Sequence, residues 1–124
     1  MSFDIYVQGF GDDPVDMAAT IGPILAPLLS VDGLSISTGD GSADVYGARK
    51  SPMNGLMFNH VAGKRAWEVI FEVAKAADWV VIPVGGPVCL VGEHQLAALP
   101  AELRDVPVEV VHSGQELLGA VSEA

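Results

Sequence analysis

The stretch Gly63-Lys-Arg-Ala-Trp-Glu-Val-Ile-Phe-Glu-Val-Ala-Lys-Ala-Ala-Asp-Trp-Val-Val-Ile-Pro-Val84 decides the fold. Its first part is an amphipathic helix over residues 63–77. Trp67, Ile70, Phe71 and Ala74 recur at helical spacing, Val69 and Val73 widen that face, and Lys64, Glu68, Glu72 and Lys75 fall opposite. Its second part, Trp79 to Val84, is continuously apolar, the signature of a central strand buried on both sides. A one-faced helix running into such a strand implies helices layered on a sheet.

Working outward, Phe3-Asp-Ile-Tyr-Val-Gln-Gly9 alternates apolar and polar residues and predicts a strand with one buried face. Gly11-Asp-Asp-Pro14 predicts a helix start, with aspartate at the cap and proline at the first helical position. The helix expected from 14 to about 29 is interrupted by Gly22-Pro23 and Pro27, so two short helices or one kinked helix are expected. Leu34 to Thr38 and Ala43 to Tyr46 flank the turn Gly39-Asp-Gly41 and predict a hairpin. Residues 47–54 read as an exposed loop and Gly55 to Val61 as a fourth strand.

Beyond Val84, Gly85-Gly86-Pro87 turns the chain into a short strand, Val88 to Val91. Residues 94–104 read as one or two helical turns broken by Pro100, and Val106 to Val111 as the last strand. Ser113-Gly-Gln-Glu116 has capping-box spacing and opens a terminal helix through Val121. The expectation is a single α+β domain over residues 1–124: a mixed, mostly antiparallel sheet of five to seven strands with two to four helices packed against it.

Half of the 124 residues are hydrophobic, too many for a disordered chain. The apolar run from Ile21 to Val31 contains two prolines and falls far short of a membrane span of ~18 residues. The opening residues read as a strand rather than a leader, so a cytoplasmic protein is expected. Cys89, the single cysteine, lies in an apolar run and reads as core, and no cysteine-based zinc site can form. No metal or other cofactor is expected.

The net charge is −10, which disfavours nucleic acid and anionic membranes and favours basic partners. That charge is unevenly placed. Asp4, Asp12, Asp13, Asp16, Asp32, Asp40 and Asp44 fall within residues 1–48, which hold no lysine or arginine. Residues 49–75 carry Arg49, Lys50, Lys64, Arg65 and Lys75 against Glu68 and Glu72, and acid dominates again after 76.

Chemistry is sparse. Asn59-His60-Val-Ala-Gly63-Lys64-Arg65 places two cations at a helix start, where free N–H groups suit an anion. It is no P-loop, because Phe58 and Arg65 stand where that motif needs glycine and a hydroxyl residue. Asp40 and Asp44 flank a glycine turn but supply too few oxygens for a calcium loop. Gly85-Gly86-Pro87 lacks the dinucleotide fingerprint. His60, His94 and His112 coexist with many serines, yet no nucleophile-elbow sequence is present.

Size, acidity and element order, with the segments Gly39-Asp-Gly-Ser-Ala-Asp-Val-Tyr-Gly47, Trp79 to Val91 and Leu99-Pro-Ala-Glu-Leu103, give a chain that resembles the immunity proteins of bacterial polymorphic toxin systems. The resemblance implies a non-enzymatic protein that binds a cognate toxin domain and occludes its active site. It assigns no role to any individual residue. On charge and loop position, Asp12, Asp13, Asp40, Asp44 and Tyr46 are the candidate toxin contacts, aimed at a basic cleft. The alternative is a binder or enzyme for a phosphate-containing ligand, held by Asn59, His60, Lys64 and Arg65. A homodimer formed through a sheet edge is a third possibility.

Overall fold

A computed structural model describes residues 4–10 and 15–122. Strands β1 (Ile5–Gln8), β2 (Ser35–Ser37), β3 (Ser42–Tyr46), β4 (Gly55–Ala62), β5 (Val80–Pro83), β6 (Val88–Leu90) and β7 (Val108–Val110) form one sheet, ordered β2-β3-β4-β1-β5-β6-β7. Every neighbouring pair is antiparallel except β6 and β7. The helices are α1 (Ala18–Leu25), α2 (Lys64–Ala77), α3 (Ala101–Arg104) and α4 (Gly114–Ser122), with a 3-10 helix at Glu93–Ala98. The fold is therefore α+β with a mixed, mostly antiparallel seven-stranded sheet.

Because β4 and β5 both run antiparallel to β1, they are parallel to each other, and α2 joins them across the strand between. This split β-α-β unit lays α2 over the middle of one sheet face, with α1 and α4 beside it. The facing rows of the sheet are Val45, Phe58 and Ile5, then Leu56, Val7, Val81 and Cys89. Helix α2 meets them with Trp67, Val69, Ile70, Val73 and Ala74, and α4 adds Leu117 and Val121. Phe58 and Ile70 are fully buried.

A second, smaller core lies on the opposite face, confined to one half of the sheet. There Val80, Val88 and Leu90 pack under Leu99 of the 3-10 connection, with Phe10 and Leu103 alongside. The run Trp79 to Val84 thus contributes β5 to both cores, Val81 to one and Val80 to the other.

Several boundaries differ from expectation. Helix α1 begins at Ala18, where the Asp16 carboxylate accepts from the Ala18 N–H at 3.0 Å. The start expected at Gly11 to Pro14 lies outside the described residues. Pro23 falls inside α1, and the helix ends before Pro27. The loop over 47–54 is not uniformly exposed. Met53 is buried, its N–H donates to Asp16 at 2.9 Å, and its carbonyl accepts from the Met17 N–H at 2.7 Å. Ser113 caps α4 as its spacing predicts, accepting from the Glu116 N–H at 3.1 Å.

Cys89 is completely buried, and that burial, with the nearby Glu109 charge, pushes its thiol pKa up to about 12. It therefore stays a neutral core thiol at pH 7 and is no nucleophile, since only a thiolate attacks. The outer edge of β2 is closed by the segment before it. Ser30 N–H donates to the Ser35 carbonyl at 2.8 Å and Ser37 N–H to the Leu28 carbonyl at 2.9 Å. The opposite edge, β7, is three residues long with Glu109 exposed, a poor template for pairing with another chain. No helix among the described residues is long and apolar enough to cross a membrane.

Candidate functional site

Among the described residues, the half of the sheet built from β3, β4 and β1 carries the helices on one side only. On the other side, register places Tyr46 opposite Met57, Met57 opposite Tyr6, and Tyr6 opposite Ile82. These four side chains form a continuous row across four strands. Tyr6 is 42% exposed and Tyr46 46%, with Met57 and Ile82 half-buried between and beside them. Tyrosine and methionine are suited to contact surfaces, being amphipathic or adaptable, and here two exposed tyrosines flank a half-buried methionine.

The next row along the strands is polar. Asp44 lies opposite Asn59, and the Asn59 side-chain amide donates to Asp4 on β1's approach. Val84, 53% exposed, ends the row, its N–H bonded to the Asp4 carbonyl at 2.9 Å. Here β4 carries a bulge: its register against β3 shifts between Ser42 and Asp44, and His60 adopts φ +51°, the left-handed region a β-carbon disfavours. The bulge brings the His60 ring to Asp44, with Nδ1 2.8 Å from the carboxylate.

The structure distributes the sequence-derived candidates unequally. Asp12 and Asp13 lie outside the described residues. Asp44 and Tyr46 stand on the uncovered face, as does Asn59, with His60 against Asp44. Two members of each rival set read from the sequence, Asp44 and Tyr46 from one and Asn59 and His60 from the other, therefore meet beside one another.

Asp40 is engaged elsewhere. Its carboxylate sits at the start of α2, accepting from the Lys64 N–H at 2.9 Å and the Arg65 N–H at 3.3 Å. Desolvation at the turn opposes ionisation. The Thr38 hydroxyl and the N–H groups of Arg65 and Lys64 outweigh it, holding the Asp40 carboxyl below its usual range. The approach requires two glycines. A β-carbon on Gly41 would fall 2.0 Å from the Ala62 carbonyl oxygen, and Gly63, at φ +91°, would meet the Asp40 backbone at 2.8 Å.

This arrangement bears directly on the anion-site alternative. The helix terminus that would receive a phosphate already holds the chain's own carboxylate. The Arg65 guanidinium is bonded to Glu72 at 2.8 Å and Glu68 at 3.1 Å, pairings that raise its pKa further. Lys64 is left at an exposed helix start.

Each histidine faces a carboxylate: His60 with Asp44, His94 with Asp78 at 2.7 Å, and His112 with Glu116 at 3.2 Å. Among the described residues no serine, threonine or cysteine side chain hydrogen-bonds any of these rings, so no nucleophile stands beside a base. Nor is there any group of three or more histidine, cysteine or acidic side chains among the described residues placed to hold a metal ion.

Tyr6, Met57, Asp4 and Ile82 were not singled out by sequence reasoning. A signal existed in the alternation: Tyr6 and Met57 are large side chains in the outward phase of strands whose inward phase is Ile5, Val7, Leu56 and Phe58. Comparison with known proteins finds no matching family model, curated protein or solved structure.

Proposed function

We propose that this chain is a protein-binding domain of the immunity type, which neutralises a cognate toxin by covering its active site with the uncovered half of the sheet. The observation that carries the reading is the row Tyr46, Met57, Tyr6 and Ile82, in which both tyrosines are exposed and Met57 and Ile82 half-buried, rimmed by Asp44 and Asp4. Apolar anchors ringed by charge are the anatomy of a protein contact, with aromatic residues supplying most of the energy and the rim setting specificity and rate. A net charge of −10 suits a partner whose cleft is basic because its own substrate is anionic.

The phosphate-ligand alternative is less well supported, because Asp40 occupies the helix start and Arg65 is paired within α2. The test is co-expression with the product of the neighbouring gene, followed by isolation of the complex and assay of that product's activity with and without stoichiometric chain. Inhibition that disappears in Tyr6→Ser, Tyr46→Ser supports the reading. An enzyme equally inhibited by that variant, or not inhibited by the native chain, refutes it.

A further inference from the structure

We infer that the uncovered face recognises an arginine-bearing segment of its protein partner, the guanidinium stacking on a tyrosine and bonding to the carboxylates at the rim. The inference rests on the contact-face reading above and names the chemistry which that face receives.

Its first support is a surplus of acceptors. In the polar row, among the described residues, the Asp4 carboxylate accepts from the Asn59 amide and Asp44 faces the His60 ring, with Nδ1 at 2.8 Å. The Asn59 carbonyl oxygen takes none, and it is the one buried side-chain nitrogen or oxygen without a partner among the described residues. Turning the amide over gives no relief: an ionised Asp4 only accepts, so the Asn59 NH2 group must face it. Carboxylates bind several donors each, so Asp4 and the 42% exposed Asp44 side chain keep capacity for an incoming donor, whereas the Asn59 oxygen is shielded from solvent and adds nothing an external group can reach.

The second support is the surface beside those acceptors. Tyr46, Met57 and Tyr6 lie two residues along their strands from the polar row, about 7 Å away at strand rise. A planar cation lying over the ring of Tyr6 or Tyr46 therefore has its edge turned toward the carboxylate two residues before it, Asp4 or Asp44. Arginine fits both parts, because its planar guanidinium stacks on aromatic faces and presents five donors.

Charge supplies the third support and chooses among occupants. A second copy would bring Asp4 and Asp44 against the same carboxylates, and a phosphate ligand would meet repulsion throughout residues 1–48, which lack any cation.

The test is titration of the full chain with hexa-arginine, hexalysine and hexaglutamine peptides, followed through backbone amide chemical shifts. Hexa-arginine is expected to move the amides of Tyr6, Tyr46, Met57 and Asn59 and to bind about threefold more tightly than hexalysine, the scale of an exposed stacking contact. Hexaglutamine should leave them unmoved. Asp4→Asn with Asp44→Asn should weaken hexa-arginine about three- to tenfold, while Glu102→Gln with Asp105→Asn changes nothing. Should the first pair of substitutions unfold the chain, Tyr46→Ser carries the same test. Shifts scattered over Glu93, Glu102 and Glu109, equal affinity for lysine, or undiminished binding by the Asp4/Asp44 variant would overturn the inference. So would a dimer in sedimentation with the Tyr6 and Tyr46 amides protected, which assigns the face to a second copy. Loss of toxin inhibition in the tyrosine variant is read independently. If it persists while the arginine arms fail, the contact face stands and only its cationic occupant is withdrawn.

Discussion

Replacing Gly114 by alanine puts a methyl group where α4 meets the backbone of α2. The added β-carbon would lie 2.5 Å from Glu68 Cα, 2.6 Å from Glu68 N and 2.9 Å from Trp67 C. Carbon atoms in contact prefer about 3.5–4.0 Å, so the start of α4 must retreat by ~1 Å. None of the close atoms is the free end of a side chain, so the strain cannot be relieved by a rotamer change. Overpacking of this kind costs about 1–3 kcal/mol. Gly114 is the first residue of α4, so alanine's advantage in a helix interior returns little there, and the net loss stays about 1–3 kcal/mol. With a urea m-value of about 1–3 kcal/mol/M, the unfolding midpoint should fall by about 1 M. The same helix supplies the control. Gly119 has nothing within 4 Å of its would-be β-carbon, so Gly119→Ala should gain about 0.5–1 kcal/mol and raise the midpoint. Urea titration followed by far-UV circular dichroism measures both. If Gly114→Ala melts like the native chain, or both variants shift in the same direction, the close α2–α4 approach is wrong, and with it the account of how the helices are held on one face.

Gln95 is 4% exposed and joins three elements, accepting from the Val91 N–H at 2.8 Å and donating to the Trp79 carbonyl at 3.1 Å and to Asp78 at 3.0 Å. Gln95→Leu should cost about 1–3 kcal/mol for each buried group left unpaired, read by thermal unfolding. Asp40→Ala should lower the unfolding midpoint at pH 7 and speed amide exchange at Lys64 and Arg65, whereas Asp40→Asn keeps a capping acceptor and loses less. The Asp16, Asp32 and Asp40 carboxyls are all held below their ordinary value of 3.8. Their stabilisation is therefore present above that pH and lost as pH falls through the lower folded values, and Asp40→Asn should flatten part of that acid dependence in urea midpoints taken between pH 6 and pH 2. Cys89 should resist an aromatic disulfide reagent in the native chain and react at the rate of unfolding, since it is buried with its thiol pKa raised to about 12.

The elements were legible because their signals are local. The alternation at Ile5 and Val7, the apolar face of α2 and the doubly apolar run into β5 each declare themselves within a few residues. Which face of the sheet remains open was not legible. It follows from α2 joining β4 to β5 across β1 and from the connection before β7 crossing the opposite side of only one half. The role of Asp40 was hidden for the same reason: it caps a helix that begins 24 residues later, so a turn aspartate and a bare helix start looked like separate features. Asp44 and Tyr46 could be singled out as candidates because charge and alternation are read along one strand. Tyr6 and Met57 were passed over because a large residue in the outward phase gains meaning only when a neighbouring strand supplies another.

The chain's two tyrosines, Tyr6 and Tyr46, both lie on the uncovered face, so tyrosine nitration reads that face and no other described surface. Tetranitromethane treatment of the free chain, and of its complex with the neighbouring gene's product, followed by mass spectrometry of the peptides, tests the central claim most directly. The account predicts that both tyrosines are modified in the free chain and that both are protected in the complex. Equal nitration of Tyr6 and Tyr46 in free and bound chain would place the partner elsewhere and contradict it.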